Sequence, residues 1–199
     1  MSRREKEIEN MKQSILLAAK EVTNEEGFNK LSIRKIAKKL DYAPSLVYYY
    51  FKDKQEIQNA LMQDGYQKIV QAVKEAEESL KTGIDKLQHM SKNYILTALS
   101  MEDEFLKAQL NTSSVALKHT SSMFEGALKS KPALNVLGKS IVEIRPDLSE
   151  DQVELKAQMI TASTFGLIAK LIVEEVNEKQ KKRLIDYFIE HVIENIVKG

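Results

Sequence analysis

Between Lys30 and Lys54 the chain sets Lys30, Arg34, Lys35, Lys38, Lys39, Lys52 and Lys54 against only Asp41 and Asp53, with Tyr48, Tyr49 and Tyr50 in between. Ammonium and guanidinium groups bind phosphate oxygens, and phenol hydroxyls can bond a phosphate or a base edge. Those residue types suit recognition of a polyanion, but a lysine-rich helix face is often just solvated, and charge alone leaves the question open. The whole chain of 199 residues carries a formal charge of +1, so the cationic character is local to this segment.

Short helices would have to position these side chains. Apolar residues Ile8, Met11, Ile15, Ala18, Ala19 and Val22 form one stripe, which predicts a first helix over about Glu7 to Glu25, stopped by Gly27. Arg3, Arg4 and Lys6 then precede it, either as a frayed, solvated terminus, the favoured reading, or as an arm that enters a minor groove or lies along phosphates. Ser32 is an N-cap for a second helix buried through Ile33, Ile36, Ala37 and Leu40, which turns Arg34, Lys35, Lys38 and Lys39 outward. After the turn "DYA", Pro44 suits the first position of a third helix, because its missing N–H has no helical partner there. At about 100° per residue, Val47 and Phe51 share an inner face, Ser45, Leu46 and Tyr49 point away, and Tyr48 and Tyr50 flank them. The spacing predicts a helix-turn-helix whose outward residues fit a major groove.

The stretch "LSIRKIAKKLDYAPSLVYYYFKDKQEI" resembles the DNA-binding domain of the tetracycline-repressor-like (TetR) transcriptional regulators. The resemblance covers about Ile15 to Leu61 and includes Gly27 and Phe28, "IRKIA" at 33–37 and "VYYYFKDK" at 47–54. It implies that Pro44, Ser45, Leu46, Tyr48, Tyr49 and Tyr50 form the recognition helix, with Arg34 assisting and Lys35 on the basic flank. Lys54 matches a lysine that holds phosphate at the start of the fourth helix. Two residues depart from the family pattern: Asp41 stands where glycine is usual, and Tyr50 where histidine is common. Asp tolerates a left-handed backbone, so the turn is expected to survive.

The remaining chain is predicted all-α, about nine helices in total, divided into a DNA-binding domain at 1–52 and a ligand-binding and dimerisation domain at 53–199. The fourth helix should start near Lys54 and break near Gly83. "KAQLNTSSVALKHTSSMF" mixes Gln109, Thr112 and Ser113 with apolar residues such as Met123. These either anchor a small molecule or act as loop and cap residues. Met90 and Tyr94 are expected in the core, and also as candidates to face a cavity. "SEDQ" at 149–152 reads as a capping box before a helix whose apolar residues nearly encircle it. Gln158 and Lys170 interrupt that run, which excludes a membrane span. Small residues Ala162, Gly166 and Ala169 admit a close neighbour. The last helix carries a broad stripe through Phe188, Val192, Ile193 and Ile196. The resemblance implies that the last two helices of each subunit form an intersubunit four-helix bundle.

His89, His119 and His191 lack zinc spacing, and no phosphate loop or nucleophile elbow is present, so neither a metal nor another cofactor is expected. With no cysteine and no leader-like apolar run, a cytoplasmic location is expected. The reading is a ligand-responsive, homodimeric DNA-binding repressor, released from a pseudo-palindromic operator by a small molecule. A protein-binding helical adaptor and a helical enzyme are the alternatives.

Overall fold

The computed structural model describes residues 2–79, 82–112 and 114–199, and among them every regular element is helical. The chain folds into two compact units, the first Met1–Gly65 with Asp103–His119, the second Tyr66–Glu102 with Thr120–Gly199.

In the first unit, α1 (Arg3–Glu26) begins four residues earlier than the apolar stripe predicts. The reason is a capping box: the Ser2 hydroxyl accepts from the Glu5 N–H at 3.2 Å, and the Glu5 carboxylate accepts from the Ser2 N–H at 2.7 Å. Arg3, Arg4 and Lys6 are therefore helical residues and not a loose arm. Gly27, at φ 86°, ends α1 and turns the chain into a short 3-10 segment, Phe28–Lys30. Helix α2 (Ile33–Lys39) starts at Ser32, whose hydroxyl accepts from the Lys35 N–H at 3.3 Å. Asp41 then takes φ 57°, the left-handed conformation the turn requires. Helix α3 (Pro44–Tyr50) carries proline in its first turn and has no side-chain cap.

Helix α4 (Lys54–Ser79) is entered through two interlocked bonds: Asp53 accepts from the Glu56 N–H at 2.9 Å, and Glu56 accepts from the Lys52 N–H at 2.6 Å. Ile15, Val22, Ile36, Val47, Phe51, Ile57 and Leu61 make one core that fixes α2 and α3 on α1 and on the start of α4. Each such side chain contributes about 1.5–3 kcal/mol by leaving water. From the later segments, α6 (Glu102–Gln109) and α7 (Ser114–Thr120) join this unit, and Ala116 enters the same core.

The second unit contains α5 (Gly83–Leu99), α8 (Ala127–Ser130), α9 (Pro132–Ile144), α10 (Glu150–Val173) and α11 (Glu178–Tyr187). Helix α11 continues through a π-helical stretch, Phe188–Ile193, into α12 (Glu194–Lys198). The expected break near Gly83 is present: α4 ends at Ser79 and α5 opens at Gly83, where Thr82 caps it through the Asp85 N–H. Ser149 and Gln152 form the expected capping box at α10. Leu87, Met90, Ile95, Leu134, Ile141, Ile160, Ile168 and Ile193 are buried, and α5 packs on both α9 and α10. Gly138 lets α8 seat closely on α9: a Cβ there would lie 2.5 Å from Leu128 Cδ1.

Candidate nucleic-acid interface

The core of the first unit decides which groups α2 and α3 leave outside. Val47 is fully buried, whereas Tyr49 is 69% and Tyr48 56% exposed. Pro44 and Ser45 are exposed too, and Leu46 is half-buried. Tyr50 packs against the core, with its ring edge-on to that of Tyr49 at a centroid distance of 5.0 Å. Helix α3 has no charged residue, so any sequence it reads must be read by hydroxyls and apolar contact. Arg34 and Lys38 are exposed on α2 and supply charge beside it.

Two basic residues are directed elsewhere. Lys35 Nζ lies 2.6 Å from Glu26 Oε2, and Lys39 Nζ lies 2.6 Å from Glu25 and 3.5 Å from Glu21. Lys35, expected on the basic flank of the recognition helix, pairs with Glu26 at the end of α1. Its ammonium holds the Glu26 carboxyl below the ordinary range, and Glu25 with Glu21 raises Lys39. Acidic side chains at a helix C-terminus oppose the helix dipole, and these lysines offset that cost. Lys54 is half-buried at the start of α4, its Nζ 3.5 Å from the Asn29 carbonyl oxygen.

Tyr42, 50% exposed in the turn between α2 and α3, is a further candidate contact that helical spacing does not mark. Its backbone N–H donates to the Ala37 carbonyl at 3.0 Å, which anchors the turn. An aromatic directly after a left-handed turn residue is the sequence signal that points to it.

Of the residues expected to take a small molecule, Met90 is buried and Tyr94 partly buried, one turn apart on α5, and burial pushes the Tyr94 phenol upward. Met123 is 54% exposed, while Gln109 and Thr112 belong to the first unit. Ser113 lies outside the described residues. Among the described residues no three His, Asp or Glu side chains gather as a metal site.

The expected pairing residues divide by burial. Phe188 and Ile193 are enclosed in the protomer's own core, Ile193 completely, which removes them from any outer surface. Val192 and Ile196 are half-buried, and Ala169 likewise. Ala162 and Gly166 are exposed on α10, in line with Leu155, Met159 and Val173, which are 51%, 51% and 70% exposed. A Cβ at Gly166 would meet nothing within 4 Å.

Residues 15–61 match the sequence profile of bacterial regulatory proteins of the tetR family. The chain is 28% identical over 188 residues to the fatty acid metabolism regulator protein of Bacillus subtilis (strain 168), covering 93% of each. Its fold resembles the crystal structure of the transcriptional regulator FadR from Bacillus subtilis in complex with stearoyl-CoA, with a TM-score of 0.69 at 22% identity over 94% of this chain and 98% of that one. The fatty acid degradation regulator FadR from Bacillus halodurans is similar at a TM-score of 0.68 and 19% identity, over 94% of each chain. The matched profile lies on the helix-turn-helix described above, so residues 15–61 are similar to the DNA-binding region of bacterial regulatory proteins of the tetR family.

Proposed function

We propose that the protein is a homodimeric transcriptional repressor that leaves its operator when it binds a long-chain fatty acyl thioester. The observation that carries the DNA-binding part is the outward face of α3, where Tyr48 and Tyr49 stand exposed beside Arg34 and Lys38 of α2. Residues 1–52 read DNA, and 53–199 sense and dimerise. Direct readout falls to Ser45, Leu46 and Tyr49, while Lys54 and Arg34 hold phosphates.

Pairing is supported by the uncovered stripe of α10, Leu155, Met159, Ala162, Gly166 and Val173, with exposed Leu184 and Tyr187 on α11. Such a stripe costs solubility in a monomer and is covered by a second helix pair in a dimer. A two-fold dimer presents two copies of α3 to half-sites about 34–36 Å apart, or a multiple of that, so the operator is pseudo-palindromic. The acyl ligand is suggested by the names of the relatives. Met90 and Tyr94 on the inner side of α5 are the contacts assigned to it. Helix α4 runs from Lys54 to Ser79. No helix among the described residues is long and apolar enough to cross a membrane, and we place the protein in the cytoplasm with its DNA.

The test is to select bound fragments from genomic DNA and titrate them by fluorescence anisotropy with and without stearoyl-CoA. Coupling of about 1–3 kcal/mol weakens operator binding roughly 5–150-fold, and operator must weaken ligand binding by the same factor. Absence of salt-dependent duplex binding would remove the regulator reading. Equal ligand affinity with and without operator would remove stearoyl-CoA as the effector.

A further inference from the structure

Between α7 and α8 the backbone leaves helical geometry at Ser121–Met123, and two side chains of α10 one turn apart hold this connection in place. Gln158, 7% exposed, donates from Nε2 to the carbonyl oxygens of Ser122 at 2.9 Å and Phe124 at 3.1 Å. Glu154 accepts from the backbone N–H groups of Gly126 and Leu128, both at 2.9 Å. A carboxylate takes the two donors and a carboxamide gives to the two acceptors, so each partner chemistry is matched and the segment is fixed.

The fixed segment nonetheless displays Met123 at 54% and Phe124 at 40% exposure, with Lys131 Nζ 5.7 Å from the Phe124 ring. Its position relative to α10 gives these side chains a meaning. Glu154 and Gln158 each directly precede a residue of the uncovered stripe, Leu155 and Met159. At about 100° per residue they form the flank of that stripe, so the segment they hold runs along its edge. Met123 and Phe124 are exposed apolar residues on a backbone bonded to the flank of that face. Gln158 and Glu154 tie them there before any partner arrives, which reduces the ordering cost of association.

We propose that Met123 and Phe124 belong to the subunit interface, where they widen the α10 stripe and are covered by a second copy of this chain. The occupant is set by adjacency: the segment is bonded to Glu154 and Gln158, which directly precede Leu155 and Met159 on α10, and that stripe is the face assigned to pairing. The proposal rests on the dimer reading above, and the experiment separates the two. Sedimentation equilibrium on the full chain compares the parent, Leu155→Glu and the double variant Met123→Glu/Phe124→Glu. Both substituted segment residues are exposed, and circular dichroism checks that the protomer keeps its helix content. The expected result is a dimeric parent, a dissociated Leu155→Glu, and at least a tenfold rise in the dimer dissociation constant of the double variant. A double variant that pairs as tightly as the parent overturns the proposal and leaves the dimer standing. A monomeric parent overturns both. The chain has no cysteine, so Met123→Cys supplies a second measurement that needs no charge at the site. Its thiol should alkylate at least tenfold more slowly in the dimer than in the Leu155→Glu background, and equal rates would also overturn the proposal.

Discussion

Helices α3 and α10 both leave side chains that the protomer does not cover, and they do so with opposite chemistry. On α3 the outward residues are Ser45, Tyr48 and Tyr49, flat or small groups tipped with hydroxyls. On α10 they are Leu155, Met159, Ala162, Gly166 and Val173, which offer no hydrogen bond and include a glycine with open space above it. A wet, hydrogen-bonding groove suits the first set, and another apolar helix suits the second. The type of residue left outside thus identifies the class of partner.

The largest effect separates the two sides of that pairing region. Ile193 is fully buried within the protomer, so Ile193→Glu places an unpaired charge in the core and should cost about 3–5 kcal/mol of stability. Gly166→Glu adds its charge in open space, next to its symmetry mate in a two-fold dimer. It should leave the thermal melt of the protomer near the parent value while dissociating the dimer. Melting by circular dichroism together with sedimentation decides. A folded, monomeric Ile193→Glu would return that residue to the interface.

On the α3 side, Tyr49→Ala and Leu46→Ala should each weaken operator binding by roughly 1–3 kcal/mol with no change in helix content. Lys54→Ala should weaken every sequence alike and flatten the slope of log affinity against log salt by about one. Normal operator binding by a folded Tyr49→Ala would mean that the exposed face of α3 is not the reading surface.

The first unit is legible in the sequence because its signals are local. Ser32, Asp41 and Pro44 each prescribe a backbone state within a few residues, and three short helices leave few ways to bury Ile36 and Val47. The start of α1 escapes the apolar periodicity because Ser2 and Glu5 outweigh the lack of an early apolar residue. Helical spacing puts Lys35 outside the buried face of α2, as found, but its ion pair with Glu26, nine residues away, is tertiary and is not legible from spacing. In the second unit the useful distinctions are tertiary. Periodicity marks Phe188 and Ile193 as apolar along with Val192 and Ile196, yet only packing reveals which of them the protomer already encloses. Likewise, Gln158 reads as an interruption of an apolar run until its two carbonyl partners are seen.

A smaller effect concerns the ion pairs that draw lysines away from the DNA-facing side. Lys35 depresses the Glu26 pKa, so this pair stabilises the fold above the ordinary carboxylate range and its contribution fades as pH falls through the lowered value. Lys39 is raised, so its contribution is present below the ordinary lysine pKa and is lost as pH climbs through the raised value. Glu26→Gln should therefore melt slightly below the parent at neutral pH, and the two should converge in acid. Glu25→Gln should converge with the parent at strongly alkaline pH instead. Gaps that do not change with pH would assign the losses to packing rather than charge.

The smallest effect on DNA binding is expected at the other end of α1. Arg3, Arg4 and Lys6 could be taken for a basic arm that reaches a minor groove, and a free arm would contribute measurably to affinity. Ser2 and Glu5 instead cap the helix on both sides, and Arg3 pairs with Glu7 at 3.0 Å, so this cationic group is already engaged within its own helix. Deleting residues 2–6 removes the cap and should cost about 1 kcal/mol of stability. Operator affinity, measured well below the melting temperature, should change less than tenfold. The exposed pair Arg3 to Glu7 itself contributes little to folding, so the stability loss should follow the cap, and Ser2→Ala alone should reproduce most of it. A tenfold or greater loss of operator affinity in the deletion, with Ser2→Ala unaffected, would transfer the basic side chains from the helix cap to the DNA interface.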